Sequence, residues 1–250
     1  MNAPQQLVIY HTSDIHGRTG FGPKLAALVE RSAVLLDCGD SLRGSATVFR
    51  RREPVLADLA CAPYAAQAVG NREFHYIYAA FLRRARALPM PLLCSNLLDV
   101  KQRRPAPFER ELRIERGGVS LRLLALLAPQ YRTGSGWERI FGWRFIAPER
   151  ALADILAQPR APADVTVVLS HLGLSADRRL AARFQQLGAI IGAHSHDTLP
   201  RPEFVAGVPI VQAGPYARHV GRLRFERRGA SLALCGYDLI PLMAPGAAAA

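Results

Sequence analysis

The sequence predicts a mixed α/β chain, with sheets covered by helices. Three observations carry this. Short β-prone runs alternate with helical stretches through the first half, hairpins replace them in the second, and several apolar runs stop at an Asp, Asn or His. Strands alternating with helices build sheets with helices on their faces, and hairpins add antiparallel pairs.

Leu7 to Thr12 alternates and is β-prone, so it reads as the first strand, running into Ser13-Asp14-Ile15-His16-Gly17. Pro23 sits in the first turn of a helix to about Arg31, a favoured place for proline. Ala33 to Leu36 is a short buried strand ending in Asp37-Cys38-Gly39-Asp40, and Pro54 to Ala62 is helical. Ala65 to Val69 is a third strand, ending in Gly70-Asn71-Arg72-Glu73-Phe74, and His75 to Leu88 continues as a helix. Pro91 to Ser95 is a strand closing on Asn96. Phe108 to Glu115 and Val119 to Ala128 form a hairpin across Arg116-Gly117-Gly118, and the glycine-rich stretch Tyr131 to Gly142 reads as a loop. Pro148 to Ala157 is a helix, Asp164 to Leu169 a valine-rich strand ending in Ser170-His171, and Ser175 caps a helix to Leu187. Ala189 to Ile191 and Pro209 to Gln212 are strands; Arg218 to Glu226 and Ser231 to Leu239 form a last hairpin. Residues 1–242 read as one domain and 243–250 as a disordered tail.

Half of the 250 residues are hydrophobic, enough for a sizeable core. No apolar stretch reaches the ~18 residues of a membrane span, so no membrane partner is expected. Met1 to Gln6 has neither a basic start nor an apolar run, and Cys38, Cys61, Cys94 and Cys235 show no paired spacing, so a cytoplasmic address is expected. The net charge is +12, nearly all of it arginine, which draws phosphate-bearing partners. The arginines fall in small groups at helix ends and turns, so a nucleic-acid groove gains little support.

The chemistry gathers at the strand ends. In an extended chain, residues two apart point the same way, so His194 and His196 offer two imidazoles on one side after a strand. Such a pair suits Zn, Mn, Fe or Co. Asp14 with His16, Asp40, Asn71 and His171 follow short apolar strands in the same manner, where ligands gather in sheets with helical crossovers. Any one of these alone is commonplace. Together, the seven mixed oxygen and nitrogen donors exceed the ~4 that one tetrahedral zinc takes, and suit two ions sharing a carboxylate.

With Asp14-Ile15-His16, Gly39-Asp40, Gly70-Asn71-Arg72-Glu73, His171 and His194-Ser195-His196 in that order, the chain resembles the calcineurin-like metallophosphoesterases. The opening His-Thr-Ser-Asp-Ile-His-Gly from His11, the Glu73-Phe74 pair, Val211-Gln212-Ala213-Gly214 and Gly221-Arg222-Leu223 are similar to the 5′-nucleotidase branch, in its N-terminal catalytic domain. The resemblance covers about Leu7 to Leu239. It implies a four-layer αββα sandwich, with two mixed sheets flanked by helices. It also implies hydrolysis of a small, nucleotide-like phosphate ester by hydroxide activated on two divalent ions (Mn, Fe, Zn or Co). By the same resemblance Asp14, His16 and His196 hold one ion, Asn71, His171 and His194 the other, and Asp40 bridges them.

The chain departs from that pattern twice. Arg72 stands where the family has histidine, and His75 where 5′-nucleotidases usually have aspartate. Arginine grips two phosphate oxygens but cannot release a proton at neutral pH. Arg72 and His75 are therefore the candidate catalytic residues, with three readings open. His75 supplies the proton while Arg72 binds phosphate; or the leaving group needs no acid; or the protein is a slow phosphatase kept as a binder. The second departure is length: 5′-nucleotidases carry a further base-gripping domain, so nucleotide specificity does not carry over. Substrate contacts are expected from Arg43 to Thr47, Tyr131 to Gly142 and Pro215 to His219, with Arg72, Arg43 and Asn96 as candidates. Cys38 reads as a small buried hydrophobe. The competing functions are a nuclease or phosphodiesterase of the same fold and a non-catalytic metal- or nucleotide-binding module.

Overall fold

Strand alternation divides the apolar side chains among three cores. A computed structural model describes residues 5–159, 161–229 and 231–243. Its elements, in chain order, begin with β1 (Gln6–Thr12), α1 (Gly22–Leu28), β2 (Val34–Asp37), α2 (Val55–Cys61), β3 (Tyr64–Ala68), α3 (Tyr78–Ala87), β4 (Leu92–Leu93) and β5 (Leu97–Asp99). β6 (Glu111–Arg116), β7 (Val119–Leu127), α4 (Gly136–Phe141), β8 (Trp143–Phe145), α5 (Pro148–Leu156), β9 (Val165–His171) and α6 (Leu174–Arg183) follow. The chain closes with β10 (Ala189–Gly192), β11 (Glu203–Val205), β12 (Val208–Val211), β13 (His219–Arg228) and β14 (Ser231–Pro241).

Two six-stranded mixed sheets result, ordered β14-β13-β1-β2-β3-β4 and β11-β12-β10-β9-β7-β6, with a small β5-β8 pair beside them. Alternate members of β1 and β2, such as Ile9, Val34 and Leu36, face Leu121, Leu123, Val167 and Ile191 of the other sheet in one apolar layer. Their neighbours Tyr10 and Leu35 point outward and pack on Leu25, Leu59 and Phe81 of α1, α2 and α3. On the second sheet Leu124, Val168 and Ile190 point outward under Leu152, Ile155 and Leu180 of α5 and α6. Helices thus cover both outer faces, giving the four layers that the resemblance implied. Parallel β1, β2 and β3 end side by side, as do parallel β9 and β10, so their following turns meet at one edge.

Several boundaries differ from the sequence reading, each for a local reason. The helix expected from His75 starts at Tyr78, because the Tyr76 N–H is drawn to the Ala46 carbonyl and the Ile77 N–H to the His75 ring. The stretch 131–142 contains the short helix α4; Gly142, at φ 78°, closes it as a left-handed cap rather than breaking it. Ser175 is not the cap of α6. Gly173 holds that position at φ 91°, and Ser195 from another turn accepts the Leu174 N–H. That helix stops at Arg183, and Phe184 and Leu187 instead bury against the second sheet. Strands β5, β8 and β11 span three residues each, too short for a period to be read. Met243, assigned to the tail, packs on the first core, while 244–250 lie outside the described residues.

Candidate metal centre

The turns after β1 and β2 continue the pairing of their strands past the sheet. Asp14 N–H bonds the Gly39 carbonyl at 2.9 Å, His16 N–H the Asp40 carbonyl at 2.8 Å, and Gly17 N–H the Ser41 carbonyl at 2.7 Å. To do so, Asp14, His16 and Asp40 adopt φ values of 50°, 53° and 58°, and His194 and His196 sit at 77° and 60°. Left-handed backbone is uncommon outside glycine, and Asp and His are among the residues that tolerate it. Five of the seven candidate ligands hold it together, and such outliers gather at functional sites. Gly39, at φ 93°, admits no side chain: a Cβ would lie 2.8 Å from Gly70 N and 3.0 Å from His171 Nδ1.

The seven side chains form one connected cluster. His16 Nε2 and His196 Nε2 lie 2.9 Å apart, and Asp14 Oδ1 is 3.7 Å from His196 Nε2. Asp40 Oδ1 is 3.4 Å from His171 Nε2, whose ring lies 5.0 Å from that of His194. His194 Nδ1 is 3.2 Å from Asn71 Nδ2. Donor atoms of Asp14, His16 and His196 all fall within 4.8 Å of one another, as do those of Asp14, Asp40 and His171. Asp14, Asp40 and His171 are buried, while His194 and His196 are exposed, so the cluster has an anionic floor and an imidazole rim.

These residues suit divalent cations. The buried Nε2 of His171 has no hydrogen-bond partner among the described residues. Its Nδ1 is taken by the Cys38 carbonyl at 2.8 Å, which leaves Nε2 as the atom available to a metal. Burial opposes charge on Asp40 and His171 alike, yet their proximity raises the His171 pKa and lowers that of Asp40. Burial, then the charge of Arg72, holds His16 at about 4, in the neutral form that coordinates metal.

Two supports hold the turns. The buried carboxylate of Glu73 accepts the N–H groups of Asp40 at 2.7 Å, Ser41 at 2.9 Å, Gly70 at 3.0 Å and Leu42 at 3.2 Å. On the other sheet, Asp177 accepts the Ser170 hydroxyl at 2.5 Å and the Gln212 amide at 3.2 Å, and Ser195 Oγ lies 3.5 Å from Gln212 Oε1. The sequence reading missed Asp177, Ser195 and Gln130, whose amide donates to Asn71 Oδ1 at 2.9 Å. Only Ser195, between two histidines, carried a positional signal.

The remaining candidates divide. Arg72 lies at the rim: its Nε is 3.8 Å from Asp40 Oδ2, and its guanidinium donates to the carbonyls of Arg43 at 3.2 Å and Gly44 at 3.3 Å. Arg43 is beside it, its side chain lying over Gly17. His75 is buried with Nδ1 accepting the Ile77 N–H at 3.0 Å, and its described partners do not include the candidate ligands. Asn96 is not free for substrate: its amide donates to the carbonyls of Leu127 and Ile146, and its oxygen accepts the Leu127 N–H at 2.9 Å. It ties β7 to β5 instead. Cys38 is fully buried, as expected of a small hydrophobe.

No family model matches the chain. The metallophosphoesterase YunD of Bacillus subtilis, itself described as uncharacterized, is 26% identical over 239 residues, 87% of this chain and 49% of YunD. The 5′-nucleotidase precursor of Thermus thermophilus superposes with a TM-score of 0.74 at 22% identity, over 95% of this chain and 54% of that one. The calcineurin-like phosphoesterase YfkN of B. subtilis gives 0.71 at 18% identity, over 96% and 92%. The chain spans about half the length of the curated relatives it matches. In sequence the chain is similar to a metallophosphoesterase and to 5′-nucleotidases, and it shares the fold of the calcineurin-like phosphoesterases and of the 5′-nucleotidase N-terminal half.

Proposed function

We propose that the chain is a two-metal phosphoesterase hydrolysing a small, nucleotide-like phosphate ester. The observation that carries the reading is the connected cluster of seven Asp, Asn and His side chains, five of them on left-handed backbone. Asp14, His16 and His196 would hold one ion, Asn71, His171 and His194 the other, and Asp40 both. Bound divalent ions polarise a phosphoryl group and acidify water. Arg72 keeps a permanent cation beside Asp40, where it would grip phosphate oxygens and offset their charge in the transition state. It donates no proton. His75, engaged with Ile77, is poorly disposed to replace it. The preferred substrate therefore has a leaving group that departs without an acid, such as an aryl oxygen or, in a nucleoside polyphosphate, a nucleoside phosphate. The unpaired state of all four cysteines accords with a reducing, cytoplasmic address.

The test is hydrolysis of an aryl phosphate monoester and diester by protein supplied with Mn²⁺, against Asp40→Asn. Loss of more than ~100-fold is expected, beyond the usual cost of changes to groups that only orient a ligand. Equal rates in the two proteins would refute the assignment. Arg72 itself supports a second reading, a metal- and nucleotide-binding module with weakened catalysis. Saturable binding of Mn²⁺ and ADP with no turnover of ADP or of the aryl phosphates would select it.

A further inference from the structure

His16 and His171 are held in different ways. A histidine that coordinates metal through one ring nitrogen is usually oriented by a hydrogen bond from the other. His171 follows this rule, with Nδ1 on the Cys38 carbonyl at 2.8 Å. His16 does not. Its Nε2 faces the cluster, 2.9 Å from His196 Nε2 and 4.0 Å from Asp14 Oδ1. Its Nδ1 is buried and has no hydrogen-bond partner among the described residues.

A ring packs on His16 instead. The Tyr216 centroid lies 5.5 Å from that of His16, with planes 47° apart, and 5.8 Å from that of His196, at 73°. His16 and His196 are themselves 4.8 Å apart at 64°. The three rings close a triangle, and two of them belong to candidate ligands. Tilted and edge-on packing with centroids ~4.5–7 Å apart is the favourable arrangement of aromatic rings.

The backbone is committed to this placement. Tyr216 sits at φ 65°, an outlier for a bulky side chain. Its N–H donates to the Asp14 carbonyl at 2.8 Å. Ala217 follows at φ 52°, buried in the first core, and the Arg218 carbonyl accepts the Leu242 N–H at 2.7 Å. The turn is thus held through groups other than the Tyr216 side chain. The ring stays 38% exposed, so burial is not what offsets the strain.

We propose that Tyr216 is the positioning residue of the first candidate metal site: its ring sets the planes of His16 and His196, in place of the hydrogen bond that His16 Nδ1 lacks. This rests on the two-metal reading and assigns what orients one of its sites.

Metal binding tests it without recourse to turnover. In the full chain stripped by chelator, calorimetric titration with Mn²⁺ should show two steps. The step that His196→Ala abolishes identifies the site of Asp14, His16 and His196. Tyr216→Ala should weaken that step ~10–100-fold, the usual effect of removing a group that orients a ligand, and leave the other unchanged. Tyr216→Phe, which keeps the ring, should retain both steps. Tyr216→Asn, which suits the left-handed backbone, should match Tyr216→Ala, so that a collapsed turn is not mistaken for a lost ring. Equal weakening of both steps would mean a general structural role and overturn the proposal. So would an unaltered step in Tyr216→Ala, or a loss in Tyr216→Phe equal to that in Tyr216→Ala. A wild type that binds no Mn²⁺ would refute the metal reading itself. A single wild-type step would refute the second ion and leave the ring to be judged on that step. Two wild-type steps with an indifferent Tyr216→Ala would refute the role of the ring alone.

Discussion

The two sheets support their share of the centre in different ways. On the first, a single buried carboxylate, Glu73, takes four backbone N–H groups from the Asp40 and Asn71 turns. On the second, the turns carrying His171, His194 and His196 are joined through side chains, Ser170 to Asp177 to Gln212, with Ser195 reaching the start of α6. A backbone clamp fixes the path of the chain and fails all at once. A side-chain relay has partners that can be replaced one at a time. The first sheet should therefore be the brittle half of the centre and the second the adjustable half.

The largest break should come at the clamp. Glu73→Ala leaves four buried N–H groups without their acceptor, at ~1–3 kcal/mol for each that stays unsatisfied. A loss of at least ~3 kcal/mol is expected from urea unfolding, together with weaker Mn²⁺ binding by calorimetry. A loss no greater than that of any relay mutant would erase the contrast. Next in size is the effect of metal itself. Mn²⁺ at 100 times its Kd should add ~2.7 kcal/mol to wild-type stability, removable by chelator. Asp40→Asn should lose most of that increment.

Asp177 tests the relay through pH. Its carboxyl is raised to about 7, first by burial, against the lowering effect of its bonds to Ser170 and Gln212. The folded protein thus holds this proton more tightly than the unfolded chain, where the value is ~3.9. The contribution is full below the unfolded value and is lost as pH rises toward 7. Asp177→Asn should flatten the fall in melting temperature between pH 4 and pH 7; the same slope in both proteins would contradict this. The smallest effect belongs to Ser195→Ala. Removing an acceptor at a helix start costs ~1 kcal/mol, read from the urea midpoint with little change in Mn²⁺ affinity.

The candidate cluster was legible because its chemistry is tied to position: Asp, Asn and His after apolar strands, in a fixed order. The two sheets were legible through alternation, since Ile9 and Tyr10 face different cores. What the sequence hid was the commitment of polar groups across distance. Asn96 reads as one more strand-end amide, and only the fold shows its donors and acceptor spent on Leu127 and Ile146. His75 reads as the start of a helix, while its ring binds the N–H that keeps the helix from starting there. Gln130 and Asp177 have no local pattern, because their partners lie 59 and 35 residues away in Asn71 and Gln212.

The left-handed turns limit which neighbouring sequences this chain can drift into. At Asp14, Asp40 and their histidine counterparts, asparagine and glycine keep the backbone comfortable, whereas valine or isoleucine would also force the turn open. Asn or Gly variants at these positions should therefore keep the turns while removing the carboxylate or imidazole donors. The same geometry makes Asp40→Asn a clean laboratory probe, since it changes the charge and spares the loop.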